Sequence, residues 1–356
     1  MKVVVTGGAG YVGHALVPRL LELGHSVSVY DTLWFGCYLD QYPDLTIIKG
    51  DIRDTEKLAQ SFDGADAVLH LACISNDPSF ELDESLSRTI NFECFEPMVI
   101  AAKKAGVKRF VYCSTSSVYG ISDAPDVTEE HPLVPITLYN TYKGQCEPLL
   151  FKHQSDDFTC VTLRPSTICG YSRRQRLDLA VNILTNLAVN RGVITVYGGS
   201  QLRPNLHIED MVDAYVLMLE ADAKLIAGQT FNVGAGNISI SDLAVMVQRV
   251  VAEELNHEPT PIETTESVDP RSYQVNSDKI KRVLGYSPQR TVEDAIRDLC
   301  AAFHNGWLPD SLTDERYYNV KMMRNVWADI YKDAPEQTFD PAKGHLSEID
   351  VIHRRA

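Results

Sequence analysis

Over the first 170 residues, short β-branched and apolar runs alternate with longer segments of helical period. Val3–Thr6, Val27–Tyr30, Thr46–Lys49, Ala67–Leu71, Phe110–Cys113 and Thr159–Leu163 are predicted strands, and helices are predicted near 11–23, 54–61, 85–105 and 138–153. The strand runs are apolar on both faces and each is separated from the next by a helix. That pattern implies a parallel sheet covered on both sides, a doubly wound α/β fold. Past Arg164-Pro165 the rhythm loosens. A polar basic stretch (Ser172, Arg173, Arg174, Gln175, Arg176) precedes a helix near 178–191 and the glycine turn Gly198-Gly199. A helix at 207–221 and a strand at Thr230–Val233 then return toward the first unit, and 241–306 reads as helices around the polar loop Thr264–Ser277.

These signals divide the chain into three parts. Residues 1–170, completed by about 205–235, make the first domain. Residues 171–204 and 236–306 make a smaller, mostly C-terminal substrate-binding domain, and 307–356 a helix followed by a loose tail.

Composition narrows the function classes. The 356 residues are 44% hydrophobic and 23% charged, ordinary for a globular protein. Lys plus Arg total 33 against 48 Asp plus Glu, a formal net charge of −15. A surface of that sign repels phosphate backbones, so no nucleic-acid partner is expected. No apolar run reaches the roughly 18 residues of a membrane-spanning helix. The start MKVVVTGGAG lacks the long apolar region of a secretory signal. The eight cysteines are scattered without a C-x-x-C pair, so neither a metal site nor a disulfide framework is expected. A cytoplasmic location follows.

The strand VVVT runs into Gly7-Gly8-Ala9-Gly10-Tyr11-Val12-Gly13 and then a helix. This spacing contains both G-x-G-x-x-G and G-x-x-G-x-x-G. Its glycines permit a tight turn and a close approach of backbone to a pyrophosphate, which the helix N-terminus stabilises. Asp31 ends the next strand, where a carboxylate accepts hydrogen bonds from an adenine ribose and repels a 2′-phosphate. Thr32 to Cys37 carry no Arg or Lys, so NAD is expected rather than NADP. The fold is therefore read as Rossmann-type.

Candidate chemistry follows from two further segments. In Tyr139-Asn140-Thr141-Tyr142-Lys143, Tyr139 and Lys143 stand at i and i+4 and share a helix face. A free tyrosine has a pKa of ~10; a neighbouring ammonium lowers it and makes the residue a usable acid/base. Tyr142 faces elsewhere. The strand Val111–Cys113 ends in Ser114-Thr115-Ser116-Ser117, at the carboxyl end of the sheet where ligands of such folds bind. Thr115 is placed to hydrogen-bond a hydroxyl that Tyr139 deprotonates.

GGAGYVG, Asp51-Ile52, His70-Leu71-Ala72, Asn91, STSSVYG and YNTYK occur in the order found in the extended short-chain dehydrogenase/reductases. Over residues 1 to about 305 the chain resembles their nucleotide-sugar epimerase/dehydratase branch. The resemblance implies that Asp51 and Ile52 meet the adenine, that Leu71, Ala72 and Pro165 line the cofactor, and that Asn91 belongs to the cofactor set beside the active-site helix. It implies that Tyr139 and Lys143 contact the nicotinamide ribose. Ser116 joins Thr115 on the substrate side, and Arg203 and Arg271 contact a nucleotide diphosphate. It also implies a homodimer through the helices near 85–105 and 138–153. Members that are 4,6-dehydratases carry an Asp-Glu pair after the catalytic threonine; here Ser116 and Ser117 stand there. The expected activity is oxidation at C4 of a nucleotide-diphosphate sugar, foremost as a 4-epimerase. A 4-dehydrogenase or 4-keto-reductase, a small-molecule reductase and a non-catalytic NAD-binding sensor are the alternatives.

Overall fold

The computed structural model describes residues 1–331 apart from 123, 125, 267–271 and 273. The first strands are β1 (Lys2–Thr6), β2 (Ser26–Asp31), β3 (Leu45–Lys49), β4 (Ala67–His70), β5 (Arg109–Cys113) and β6 (Thr159–Pro165). They are followed by β7 (Thr167–Cys169), β8 (Ile194–Tyr197), β9 (Leu202–His207), β10 (Gln229–Val233), β11 (Gly236–Ser239) and β12 (Ile262–Thr265). Seven of them make one sheet in the order β10-β6-β5-β4-β1-β2-β3. All of its pairings are parallel, including that of the late strand β10 with β6. The order reverses between β1 and β4, and beyond the carboxyl ends of strands at such a switch point lies the binding crevice of these sheets.

Alternation along β1 sends Val3 and Val5 to one face and Val4 to the other. The first face is covered by Leu16 and Leu20 of helix Gly13–Glu22 with Met211, Tyr215 and Met218 of helix Ile208–Glu220. The second is covered by Leu58, Phe95, Met98, Val99, Cys146 and Leu150. Each such fully buried aliphatic or aromatic side chain contributes about 1.5–3 kcal/mol. A third core gathers helices Ala180–Asn186, Ile240–Leu255 and Val292–His304 around Cys169, Ile194 and Val196. Against it stand a three-stranded sheet, β11-β9-β7, and the pair β12-β8.

The segment read as one helix over 85–105 is broken. It forms a short helix Glu84–Arg88, a π-turn Thr89–Glu93 and a helix Phe95–Lys104. Pro97 has no N–H for the carbonyl of Glu93, and the ladder widens so that Cys94 N–H donates to Thr89 O at 3.2 Å. A similar π-turn, Leu187–Arg191, extends helix Ala180–Asn186 and ends at left-handed Gly192. The last described helix is Asn319–Tyr331, and the tail expected after it lies outside the described residues. Met323 and Val326 of this helix join the core beneath the first sheet, and Trp327 Nε1 donates to Asp83 Oδ2 at 3.0 Å.

Candidate active site

Between β1 and helix Gly13–Glu22 the chain turns through the glycine segment. Gly7 has φ +75°, and a Cβ there would stand 2.6 Å from Ala72 N. Glycine is thus required on two counts, conformation and the close passage of the strand β4 exit. Gly10 N–H donates to Gly7 O at 3.0 Å, and His14 N–H to Gly10 O at 3.0 Å, so the turn leads directly into the helix. Tyr11 ties this loop to the rest of the molecule: its hydroxyl donates to Gly170 O at 2.7 Å and accepts from Asn182 Nδ2 at 3.1 Å.

A cavity of about 410 Å³ opens at the switch point. Gly7, Gly10, Tyr11, Val12, Gly13, Asp31, Asp51, Ile52, Leu71, Ala72 and Pro165 all line it. So do Thr115, Tyr139, Lys143 and Arg203. Residues separated by up to nearly 200 positions in sequence therefore line one cavity. Asp31 closes β2 with both carboxylate oxygens engaged, Oδ2 by Ala9 N–H at 3.0 Å and Oδ1 by Leu33 N–H at 2.8 Å. The bare glycine cradle at the helix start and a fixed carboxylate beside it fit a dinucleotide.

The active-site helix Leu138–Phe151 begins where the Thr137 hydroxyl accepts from Asn140 N–H at 3.3 Å and donates to Asp77 Oδ1 at 2.6 Å. One turn apart on it, Tyr139 and Lys143 face the cavity, while Tyr142 stacks on Phe92 with ring centroids 5.1 Å apart. Lys143 Nζ donates to Cys113 O at 2.7 Å, which fixes the ammonium at the end of β5. Burial pushes the Tyr139 phenol well above its ordinary value, and the neighbouring cation that pulls it back is Arg176. Lys143, the partner expected from spacing, keeps its charge one helical turn away while donating to the Cys113 carbonyl. Thr115 caps the 3₁₀ turn Ser116–Tyr119, its Oγ1 accepting from Ser117 N–H at 3.2 Å.

Two of the expected site residues are placed elsewhere. Asn91 does not line the cavity. Its Oδ1 accepts from Ile74 N–H at 2.8 Å and its Nδ2 donates to Ile74 O at 2.9 Å, so it fixes the loop after β4 rather than a cofactor atom. Ser116 is buried away from the cavity, because the 3₁₀ turn rotates it inward and presents Ser117 instead. Arg271 lies outside the described residues.

Other wall residues carry no sequence motif: Trp34, Phe35, Asp77, Arg174, Arg176 and, from the far end of the chain, Asn319 and Met323. The arginines did leave a signal, three in a run of four positions on an acidic chain. Arg176 Nε donates to Asp178 Oδ1 at 2.8 Å. The Arg174 guanidinium lies 4.1 Å from the Phe35 ring centroid, a cation–π stack.

The model of the NAD dependent epimerase/dehydratase family matches residues 3–234. The chain belongs to this family. It is an NAD-dependent enzyme of the extended short-chain dehydrogenase/reductase type. A UDP-glucose 4-epimerase of Lactobacillus helveticus is 29% identical over 322 residues, covering 83% of this chain and 95% of that one. A dTDP-glucose 4,6-dehydratase of Actinoplanes is 26% identical over 320 residues, with 85% and 97% covered. Among solved structures, DesIV, a dTDP-glucose 4,6-dehydratase from Streptomyces venezuelae with NAD bound, superposes with a TM-score of 0.76 at 26% identity, covering 86% of this chain and 98% of that one. Its likeness extends to the Rossmann-type core and the layers beyond it.

Proposed function

We propose that this epimerase/dehydratase-family enzyme interconverts the C4 epimers of a nucleotide-diphosphate sugar. Tyr139 takes the proton of the C4 hydroxyl and returns it to the same oxygen when the ketone is reduced. Thr115, on the cavity wall at the end of β5, donates to that oxygen and orients it. Lys143 holds its charge at the cavity floor through the Cys113 carbonyl and presents it to the cofactor ribose. Arg203, on β9, reaches the cavity with a guanidinium suited to diphosphate oxygens. The chemistry that NAD supplies when bound is reversible hydride transfer at C4.

The observation that carries this reading is that Thr115, Tyr139 and Lys143 line one cavity with the glycine loop, together with the hydroxyls that follow Thr115. Loss of water across C5 and C6 needs a carboxyl group beside the threonine to exchange protons. Ser117 offers a hydroxyl, Ser116 is turned away, and the carboxylate nearest in influence to Tyr139, Asp77, accepts the Thr137 hydroxyl. UDP-glucose 4-epimerases, that of Lactobacillus helveticus among them, are matched over nearly their full length, which supports the same choice.

Tyr139→Phe removes the acid/base and leaves the glycine loop, Asp31 and Lys143 in place. Turnover of nucleotide sugars is expected to fall about 10²–10⁴-fold, with NADH still bound as followed by its fluorescence. Turnover near the wild-type rate would refute the role given to Tyr139.

A further inference from the structure

The helix Asn319–Tyr331 lies beyond the segment matched by the family model, yet Asn319 and Met323 are part of the cavity wall. Asn319 is buried and engages three residues at once. Its backbone N–H donates to Asp178 Oδ2 at 3.0 Å, its Nδ2 donates to Ser75 Oγ at 2.9 Å, and its Oδ1 accepts from Arg174 Nη2 at 2.7 Å. It thereby joins the loop after β4 to the arginine-rich loop after β7.

Arg174 is a buried cation in want of an anion. Asp31 and Asp178 are the carboxylates whose fields reach it. Asp31 is held by the N–H groups of Ala9 and Leu33, and Asp178 by Arg176 and Asn319. The Arg174 Nε is buried with no hydrogen-bond partner among the described residues. Burial and the Arg176 charge push its pKa down to about 10 against the opposing pull of Asp178 and Asp31. Its position is toward the cofactor half of the cavity: it stacks on Phe35, and its field reaches His14 in the first turn of the glycine-loop helix. A buried charge of this kind is stabilised when an anion enters beside it.

We propose that the C-terminal helix is part of the cofactor site, with Asn319 as a positioning residue that holds the Arg174 guanidinium where it pairs with the diphosphate of NAD. Arg174 is the binding residue, and Asn319 acts through it. The assignment stands on NAD dependence and is independent of which sugar is turned over.

The test is direct binding to the full-length chain, with NADH followed by its fluorescence and ADP and adenosine as competitors. Asn319→Ala and Arg174→Ala are each expected to weaken NADH and ADP about tenfold, the worth of a charged hydrogen bond. Adenosine, which lacks the diphosphate, should keep its affinity, and Arg174→Lys should recover part of the loss. If Asn319→Ala lowers the thermal midpoint but leaves the NADH Kd unmoved, its role is structural only and the proposal fails. It fails too if adenosine and ADP lose affinity equally, or if Arg174→Ala binds NADH as the wild type does.

Discussion

At Tyr139 burial, and after it Cys73, Cys113 and Asp77, act in one direction and the Arg176 cation in the other. Burial raises the phenol far above its ordinary pKa, and Arg176 favours the phenolate. Arg176 is itself steadied by Asp178, so its field is held in a fixed direction. The base form of Tyr139 is the one that accepts the C4 proton, so activity falls as pH drops below its pKa. Taking away the cation makes the phenolate harder to form and raises that pKa. Arg176→Ala should therefore move the acid limb of the kcat/KM profile toward higher pH by about one unit. A limb that stays in place, measured on a nucleotide sugar that the wild type turns over, would show that Arg176 does not tune the tyrosine. The i and i+4 spacing made the Tyr139–Lys143 face legible in the sequence. That Arg176 also acts on the phenol was not legible, because it stands 37 positions away in a loop whose path only the folded chain defines.

At the scale of elements, the active-site helix is fastened to the sheet by a buried ion pair. Arg164 on β6 meets Glu147 with two hydrogen bonds, Nε to Oε1 at 2.9 Å and Nη2 to Oε2 at 2.6 Å. Ser114 Oγ, at the end of β5, donates to the same Oε1 at 2.7 Å, and Arg164 Nη1 donates to the Tyr119 hydroxyl at 2.7 Å. The two strand ends that flank Thr115 are thus tied to the helix that carries Tyr139. Both partners are almost wholly inside, with side-chain exposures of 6% and 4%. Removing one leaves the other charged and unpaired. Glu147→Ala is expected to destabilise the fold by about 3–5 kcal/mol, read from the shift of the urea midpoint. A loss below about 1 kcal/mol would mean that water or a second group replaces the carboxylate. Strand and helix periodicity in the first 170 residues foretold most of these elements, since most of the strands are apolar runs and several of the helices amphipathic. The break over Thr89–Glu93 escaped because the apolar period runs through it and only Pro97 marks the missing donor.

Over the whole molecule, one cavity collects residues from Gly7 to Met323. The half built on the first sheet was readable, because the glycine turn and Asp31 each have a chemical reason for their position. The arginine wall and the C-terminal helix were not, because Asn319 and Met323 look like any residues of an amphipathic helix until their partners are known. The cavity gathers Arg174, Arg176, Arg203 and Lys143 along with Asp31, Asp51 and Asp77, so it concentrates cations that suit phosphates in a chain of net charge −15 without being free of carboxylates. The central claim is that the chemistry at C4 is redox-neutral. It is tested most directly by incubating the enzyme with a panel of nucleotide hexoses, following product NMR and absorbance at about 340 nm, where NADH absorbs, in the same sample. The expected product is a C4 epimer with no net NADH. Accumulation of a 4-keto product with stoichiometric NADH, or of a 4-keto-6-deoxy sugar, would contradict it.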